Sequence, residues 1–429
     1  MIVTKYGGSS VTCLEDLGLI RRITESDGRR QVIVVSAPGG PKGRVTDMLE
    51  EIASNGGSVS PEQVIERLSA LNPELDMSEY KRELESRIRG TNDDTFRDGL
   101  VSFGEYATAK IIADTLGYAF LDPSELFVVE GRPGHAIPLP GSFKGQAKIT
   151  SAKTPTVVPG FYGRTNDGKT LTFERGGSDI TNAFLGACLF ADSCEKYSDT
   201  PVLSAHPDIV SNPELINELT YLELRELSYN GFNVFHHDAL RYLYETDVPL
   251  ELKNFRNPQE PGTLVLQERA PMAGKPVVGV TYKSGLYSIH LTRMGIHRTT
   301  GVFADMLGIL KDMDVSWDYM PHCVDSMSLF IPREGIDSRK LHELCTRIKK
   351  VVDVPSLDVN PHAGCLVVVG KSLRRDMGAM GRIYSALHHA GVQATTTMGD
   401  DGAPSLVLGV DEANGHSAVN AIYDEFIRS

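Results

Sequence analysis

Three glycine-rich turns constrain what this chain can fold into more than any other feature. Lys5-Tyr6-Gly7-Gly8-Ser9-Ser10 follows the apolar run Ile2-Val3, and Ser36-Ala37-Pro38-Gly39-Gly40 follows the strand-like segment 31–35. Arg175-Gly176-Gly177-Ser178-Asp179 opens a helical segment expected over about 180–191. Paired glycines let a backbone approach a ligand closely, because no Cβ intervenes. Ser178 or Asp179 is placed to cap the helix, whose free N–H groups attract negative charge. Arg175 adds a cation with forked donors, and Asp179 is a single acid in this positive setting, able to orient a cation or a metal–phosphate unit. Alone, each turn reads as a plain strand–helix connection or a helix cap. Three together, at strand ends where open α/β sheets bind ligands, point to phosphate. The first is not a Walker loop, whose lysine follows its glycines.

Apolar strand-like runs alternate with helical segments up to about residue 265, which predicts a mostly parallel central sheet with helices on both faces. A polar helical region over about 61–98 is expected to form an outlying lobe over the substrate cleft. Residues 267–276, with two prolines and a glycine, read as a linker. Beyond it a strand–helix–strand rhythm occurs twice: 286–291, 302–311 and 326–331, then 365–369, 380–390 and 405–410. A chain of 429 residues is too long for one core, so two or three domains are expected.

Net charge is −13 with no long basic run, which argues against nucleic acid and anionic membranes as partners. No stretch approaches the ~18 apolar residues of a membrane span, and the first residues run into a strand instead of a signal peptide. Six scattered cysteines without CxxC spacing read as reduced thiols of a cytoplasmic protein and suggest no zinc site. Adjacent His236 and His237 read as structural, since neighbouring residues rarely converge on one ion.

These segments together resemble the aspartate kinases of the amino-acid kinase family, of the monofunctional, ACT-containing type. Lys5 to Val11 is similar to the family's K-F-G-G-T-S-V opening, and Ser102-Phe103-Gly104-Glu105 to its S-x-G-E segment. Gly160-Phe161-Tyr162-Gly163-Arg164-Thr165, Thr172 and the Arg175 to Asp179 run match G-F-x-G-x-T…R-G-G-S-D. Glu218-Leu219-Thr220-Tyr221, His236, Asn257-Pro258 and Pro261-Gly262-Thr263 continue the likeness to about residue 265, and Arg225-Glu226-Leu227-Ser228-Tyr229 looks closest to single-function enzymes of Gram-positive bacteria.

The resemblance implies a three-layer amino-acid-kinase-type α/β fold over 1–266, followed by two ferredoxin-like α+β ACT domains at 276–355 and 356–429. It implies transfer of the γ-phosphoryl group of ATP, with Mg2+ bound mainly through the phosphates, to the β-carboxylate of L-aspartate. That is the first step of aspartate-family biosynthesis. Phosphoryl transfer is mostly positioning and electrostatics. Lys5 is therefore expected to neutralise the γ-phosphoryl, with N–H groups of Gly7, Gly8 and Ser9 around it. An acceptor carboxylate is already ionised near neutral pH and needs no strong base, so Asp179 is expected to organise Lys5 and magnesium. Aspartate carries one ammonium and two carboxylates. Glu105 suits the ammonium and Arg175 the α-carboxylate, with Thr46 and Ser178 as supplementary donors. Ser36, Ser198, Asp199 and Arg256 complete the expected nucleotide side, and no residue is expected to hold a metal directly.

The chain departs from the family in three places. Ser198 to Asp208 stands where T-D-V-x-G-V-Y-T-A-D-P-R is common, with Leu203 and Asp208 at the tyrosine and arginine positions. An aspartate there would oppose a triphosphate and bears on ATP against GTP preference. Glu174 replaces a common glycine. Thr397 to Pro404 replaces an I-N-Q-G-S-S-E pattern, while Arg293-Met294-Gly295-Ile296-His297-Arg298 is a candidate effector loop. Other readings are a catalytically weak ACT-based sensor, or a kinase for another acidic amino acid. A homodimer through the ACT repeats is expected, with lysine or threonine as effector. Activity and melting temperature should then respond to millimolar lysine, threonine or both; no response to any of them contradicts feedback by these amino acids.

Overall fold

The computed structural model describes residues 1–428 apart from 41–42, 55–56, 91–92, 200, 233, 271–274, 374 and 400–401. Thr200, Asp400, Asp401 and the middle of the expected linker thus lie outside the described residues. The chain forms two compact units: Met1–Val202, Leu215–Ser228 and Asn233–Arg269 in one, Leu203–Glu214, Tyr229–Phe232 and Ala270–Ser429 in the other.

The first unit begins with β1 (Ile2–Tyr6), α1 (Leu14–Glu25) and β2 (Arg30–Val35). Five helices follow: α2 (Val45–Ala53), α3 (Pro61–Ser69), α4 (Ser78–Ile88), α5 (Phe96–Val101) and α6 (Phe103–Leu116). Then come β3 (Ala119–Phe120), the hairpin β4 (Val129–Arg132) and β5 (His135–Pro138), α7 (Gln146–Thr150) and β6 (Thr156–Pro159). A second hairpin, β7 (Tyr162–Arg164) and β8 (Thr170–Thr172), leads into α8 (Ser178–Cys188) and β9 (Ser193–Ser198). The unit closes with β10 (Glu218–Thr220), α9 (Tyr221–Tyr229), α10 (Leu240–Thr246), β11 (Leu250–Asn254) and β12 (Thr263–Leu266). Eight strands form one sheet in the order β10-β12-β11-β9-β1-β2-β6-β3, parallel except for the β11–β12 pair. The expected mostly parallel sheet is present.

Strand alternation sorts the central residues to two faces. Tyr6 joins Leu17, Ile20, Ile112 and Leu116 in an apolar cluster on the α1–α6 face, and stacks on Tyr197 at 5.2 Å. Lys5 and Lys196, one position off, lie on the opposite face with α8. The α3–α4 region is no outlying lobe. Val64, Leu68, Tyr80 and Leu84, at helical i, i+4 spacing, are buried in the same cluster as Tyr6 and Ile33. Asp98 fastens the start of α5 to both hairpins, its Oδ2 accepting from the amides of Gly134 (2.8 Å) and Thr172 (2.7 Å). The expected linker is also anchored at its start, where Arg269 meets buried Glu223 through two bonds of 2.6 and 2.9 Å.

The second unit holds β13 (Gly279–Thr292), α11 (Val302–Asp312), β14 (Ser326–Pro332), α12 (Ser338–Val352) and β15 (Leu357–Val369). It continues with α13 (Ala379–His389), β16 (Thr396–Met398), β17 (Ser405–Asp411) and α14 (Gly415–Tyr423). One antiparallel sheet, β14-β13-β15-β17-β16, serves both repeats. The repeats interlock instead of following one another. A register shift between Lys283 and Leu286 splits β13. Val277 and Val280, before it, are buried in the core under α13 and α14, whereas Ile289 and Leu291, after it, are buried under α11 and α12. Ala205 and Val210 join the α13–α14 core, so the segment carrying Leu203 and Asp208 is folded into this unit. Asp208 itself is solvent-exposed beside His206.

The α8–β9 contact is tight enough to test. A Cβ on Gly186 would stand 2.1 Å from the buried Cys194 Sγ. Alanine improves helix propensity by about 1 kcal/mol, but overpacking costs about 1–3 kcal/mol. Gly186→Ala should therefore lower the urea midpoint, and Cys194→Ala in the same chain should recover most of the loss; equal losses in both backgrounds contradict the packing.

Candidate active site

The turn at 176–177 sets α8 in place. Gly176 takes φ +90° against the His236 ring, and a Cβ on Gly177 would stand 2.4 Å from Phe173 Cβ. Glycine is needed at both positions. Ser178 and Asp179 were expected as caps, but α8 starts at Ser178 with Gly177 as N-cap and no side-chain cap bond. The physical reason is what Asp179 does instead. Its carboxylate leaves the helix end for the sheet, where Lys5 Nζ is 2.8 Å from Oδ1 and Lys196 Nζ is 2.8 Å from Oδ2. The His236 amide also donates to Oδ2 at 3.0 Å. All three side chains are buried.

Burial alone would raise the Asp179 carboxyl, yet the ammonium groups of Lys196 and Lys5 outweigh it and hold it well below the usual carboxylate range. Asp179 is thus a fixed anion and a poor proton acceptor. Lys196 was not foreseen. It donates as well to the Val234 carbonyl, and its ammonium lies 5.3 Å from the centre of the Phe235 ring. No sequence signal marked it: the parallel β1–β9 register, seen in the structure, pairs it directly with Lys5.

Glu105 sits in the first turn of α6. A Cβ on Gly104 would stand 2.9 Å from the Ala37 Cβ, so that glycine lets α6 reach the Ser36 turn. Glu105 Oε1 accepts from the Ala37 amide at 3.1 Å, while Oε2 is buried without a hydrogen-bond partner among the described residues. Burial pushes its carboxyl up to about 8, against the opposing pull of the Ala37 amide and Lys5. A buried acceptor with an open lone pair is suited to an incoming cation.

The glycine turns are sewn to each other. Gly39 donates to the Gly8 carbonyl at 2.9 Å, and a Cβ on Gly8 would stand 2.5 Å from the Ala37 oxygen. Gly7, expected to offer its amide to phosphate, donates it to Tyr197 O at 3.3 Å, and the Ser36 amide donates to Tyr6 O at 3.2 Å. These two amides hold the strands in register and are spent. Ser9 lies in the short turn after Gly8, Ser198 ends β9, and Asp199 follows it exposed. Arg256 pairs with buried Asp16 at 2.6 Å, across its own neighbour Phe255. Arg175 is largely exposed and bonds Asp47 at 2.9 Å, on the same first turn of α2 as Thr46. Glu174 receives His135 Nδ1 at 2.7 Å and stands 4.0 Å from His236 Nε2, so it lies between β5 and the His236 segment. The His236 and His237 rings stack at 5.0 Å.

Comparison with known proteins identifies relatives of the whole chain. The model of the amino acid kinase family matches residues 1–254. Aspartokinase 3 of Bacillus subtilis is 32% identical over 449 residues, covering 99% of this chain and 98% of that one. The solved aspartate kinase of Clostridium acetobutylicum superposes with a TM-score of 0.84 at 29% identity, over 99% of this chain and 100% of that one. Escherichia coli aspartokinase III, solved with aspartate and ADP, shares the fold with a TM-score of 0.82 at 20% identity, over 99% of each chain.

Glu105 gives this site a pH signature. Its carboxyl rises from 4.5 to about 8 on folding, so between those values the folded state holds one more proton than the unfolded state. The associated stability is full below 4.5 and is lost as pH rises through 8, at up to about 1.4 kcal/mol per pH unit. Glu105→Gln should remove that slope, gaining on the wild type as pH increases in urea unfolding. Parallel curves for the two proteins contradict the buried, unpaired carboxylate.

Proposed function

Given that the chain belongs to the amino acid kinase family, and within it to the aspartate kinases, we propose how its residues divide the work of phosphorylating L-aspartate. The enzyme carries the γ-phosphoryl group of ATP to the β-carboxylate, giving 4-phospho-L-aspartate. The observation that carries the assignment of roles is the single carboxylate of Asp179 between two buried ammonium groups at the carboxyl ends of adjacent parallel strands. Lys5 neutralises the transferring group, and Asp179 fixes where Lys5 points. No base is required, because the attacking carboxylate is already ionised. The depressed Asp179 carboxyl fits an organiser and not a proton acceptor.

At the acceptor end, Glu105 takes the substrate ammonium with its free Oε2, and the arriving cation restores its negative charge. Arg175, released from Asp47, pairs with a carboxylate, with Thr46 and Ser178 beside it. Gly8, Ser9, Ser36, Ser198 and Asp199 line the nucleotide side. Arg256 supplies charge there from its anchor on Asp16. Each Asp179 oxygen is held by an ammonium, so the residues suit Mg2+ carried on the nucleotide phosphates, where it neutralises part of their charge.

The two interlocked repeats of the second unit, and not consecutive blocks at 276–355 and 356–429, act as the ACT pair, forming the homodimer and binding lysine or threonine as effector. No helix among the described residues is long and apolar enough to cross a membrane, and the six cysteines are free, in keeping with a cytoplasmic enzyme. Turnover is measured as ADP release, with the acyl phosphate trapped by hydroxylamine, across L-aspartate, L-glutamate, D-aspartate and cysteate. Activity should require L-aspartate and fall on the order of 10²–10³-fold in Lys5→Ala and Asp179→Ala. Glu105→Gln should raise KM for aspartate on the order of tenfold while leaving KM for ATP nearly unchanged. Equal effects on both substrates would remove Glu105 from the acceptor pocket.

A further inference from the structure

We propose that Lys196 is a second phosphoryl-facing cation, working beside Lys5 on the transferring group and the leaving ADP oxygen. This rests on reading the Lys5–Asp179 end as the phosphoryl end, and adds a residue that the sequence motifs do not contain. The β1–β9 register sets Lys5 and Lys196 opposite each other on one sheet face, and both side chains are buried. Like charges directly opposite on neighbouring strands repel, and buried ammonium groups carry a large desolvation cost. Asp179 offsets one positive charge of the two, so the three side chains leave a net positive charge in a buried place.

A fold selected only for stability would meet Lys196 with a second acid or replace it with an apolar residue. Its other strand neighbour is Leu252, beside which a methionine would pack. An anion delivered by the substrate balances the charge instead. Lys196 has three N–H donors; Asp179 Oδ2 and the Val234 carbonyl take two, and among the described residues nothing takes the third. Asp179 thereby holds each ammonium group against a different oxygen of one carboxylate, as two oxygens of one phosphoryl group would be met.

In the transfer, a β-carboxylate oxygen of aspartate bonds to the γ-phosphorus while the bond to the bridging oxygen of ADP breaks. That bond's electron pair leaves with ADP, and no proton moves. Negative charge accumulates on the equatorial and bridging oxygens, where two fixed cations do more than one. Among the described residues the charged groups facing Lys196 are Lys5 from β1 and Asp179 from α8, with the Val234 carbonyl, the Phe235 ring and Leu252 also beside it. Burial, with Lys5, draws the Lys196 ammonium down to about 8 against the pull of Asp179, so this cation is lost as pH rises through that value.

The test compares wild type, Lys196→Met and Lys196→Arg at saturating L-aspartate, with calorimetric binding of magnesium ADP and of a non-hydrolysable magnesium ATP analogue. Lys196→Met should lower kcat on the order of 10²-fold and weaken the ATP analogue on the order of tenfold more than ADP. A role confined to holding Asp179 would weaken both nucleotides alike. Glu105 titrates in the same range, so the arginine variant isolates the lysine: its guanidinium stays charged, and the alkaline fall of kcat should move up in pH while the Glu105 contribution stays. Lys196→Met retaining kcat within about threefold, or losing both nucleotides equally, overturns the proposal. If Lys196→Met does not fold, an unmoved alkaline limb in Lys196→Arg overturns it. Absence of aspartate-dependent turnover in the wild type would instead contradict the assigned reaction.

Discussion

The carboxylate of Asp179, shared between Lys5 and Lys196, is the interaction on which the rest of the catalytic unit depends. Two ammonium groups on neighbouring parallel strands cannot be buried together without an anion between them. The anion must arrive from outside the sheet, so a helix has to begin directly over the strand ends, which explains the tight Gly176-Gly177 turn and the close seat of α8 on β9. The backbone of His236 completes the arrangement with a neutral donor. One side chain thereby fixes the position of two cations, the start of one helix and the path of a distant loop.

The proposed acceptor end follows the opposite electrostatic rule. Glu105 is buried with one oxygen satisfied and the other without a partner among the described residues, and burial suppresses its charge. In the proposed assignment both ends of the site carry an uncompensated charge or lone pair for the substrates to answer, positive toward phosphate and acidic toward ammonium. Stability is given up at both, as is common where function requires buried polar groups. Arg175 and Arg256 differ: each is already paired, with Asp47 and Asp16.

Much of this was legible in the sequence. The alternation of strands and helices predicted the parallel sheet, and the glycine turns pointed to the strand ends where Lys5 pairs with Asp179 and Glu105 bonds the Ala37 amide. What was not legible depends on pairing between distant strands. Lys196 belongs to no motif, and only the β1–β9 register places it beside Lys5. Gly7 reads as a phosphate-binding amide until Tyr197 proves to be its acceptor. Arg256 reads as a free cation because Asp16, 240 residues away, cannot be matched to it by spacing. The interlocked repeats were hidden for a related reason: β13 is continuous in sequence, yet its two halves serve different cores.

The most direct test of the shared carboxylate is 15N NMR of the lysine side-chain ammonium groups, comparing wild type with Asp179→Asn. The two buried ammonium signals, assigned through Lys5→Arg and Lys196→Arg, should both shift when the carboxylate charge is removed, and the Lys196 titration should fall below its wild-type value of about 8. A response from one lysine alone, or from neither, would mean that Asp179 does not hold the pair.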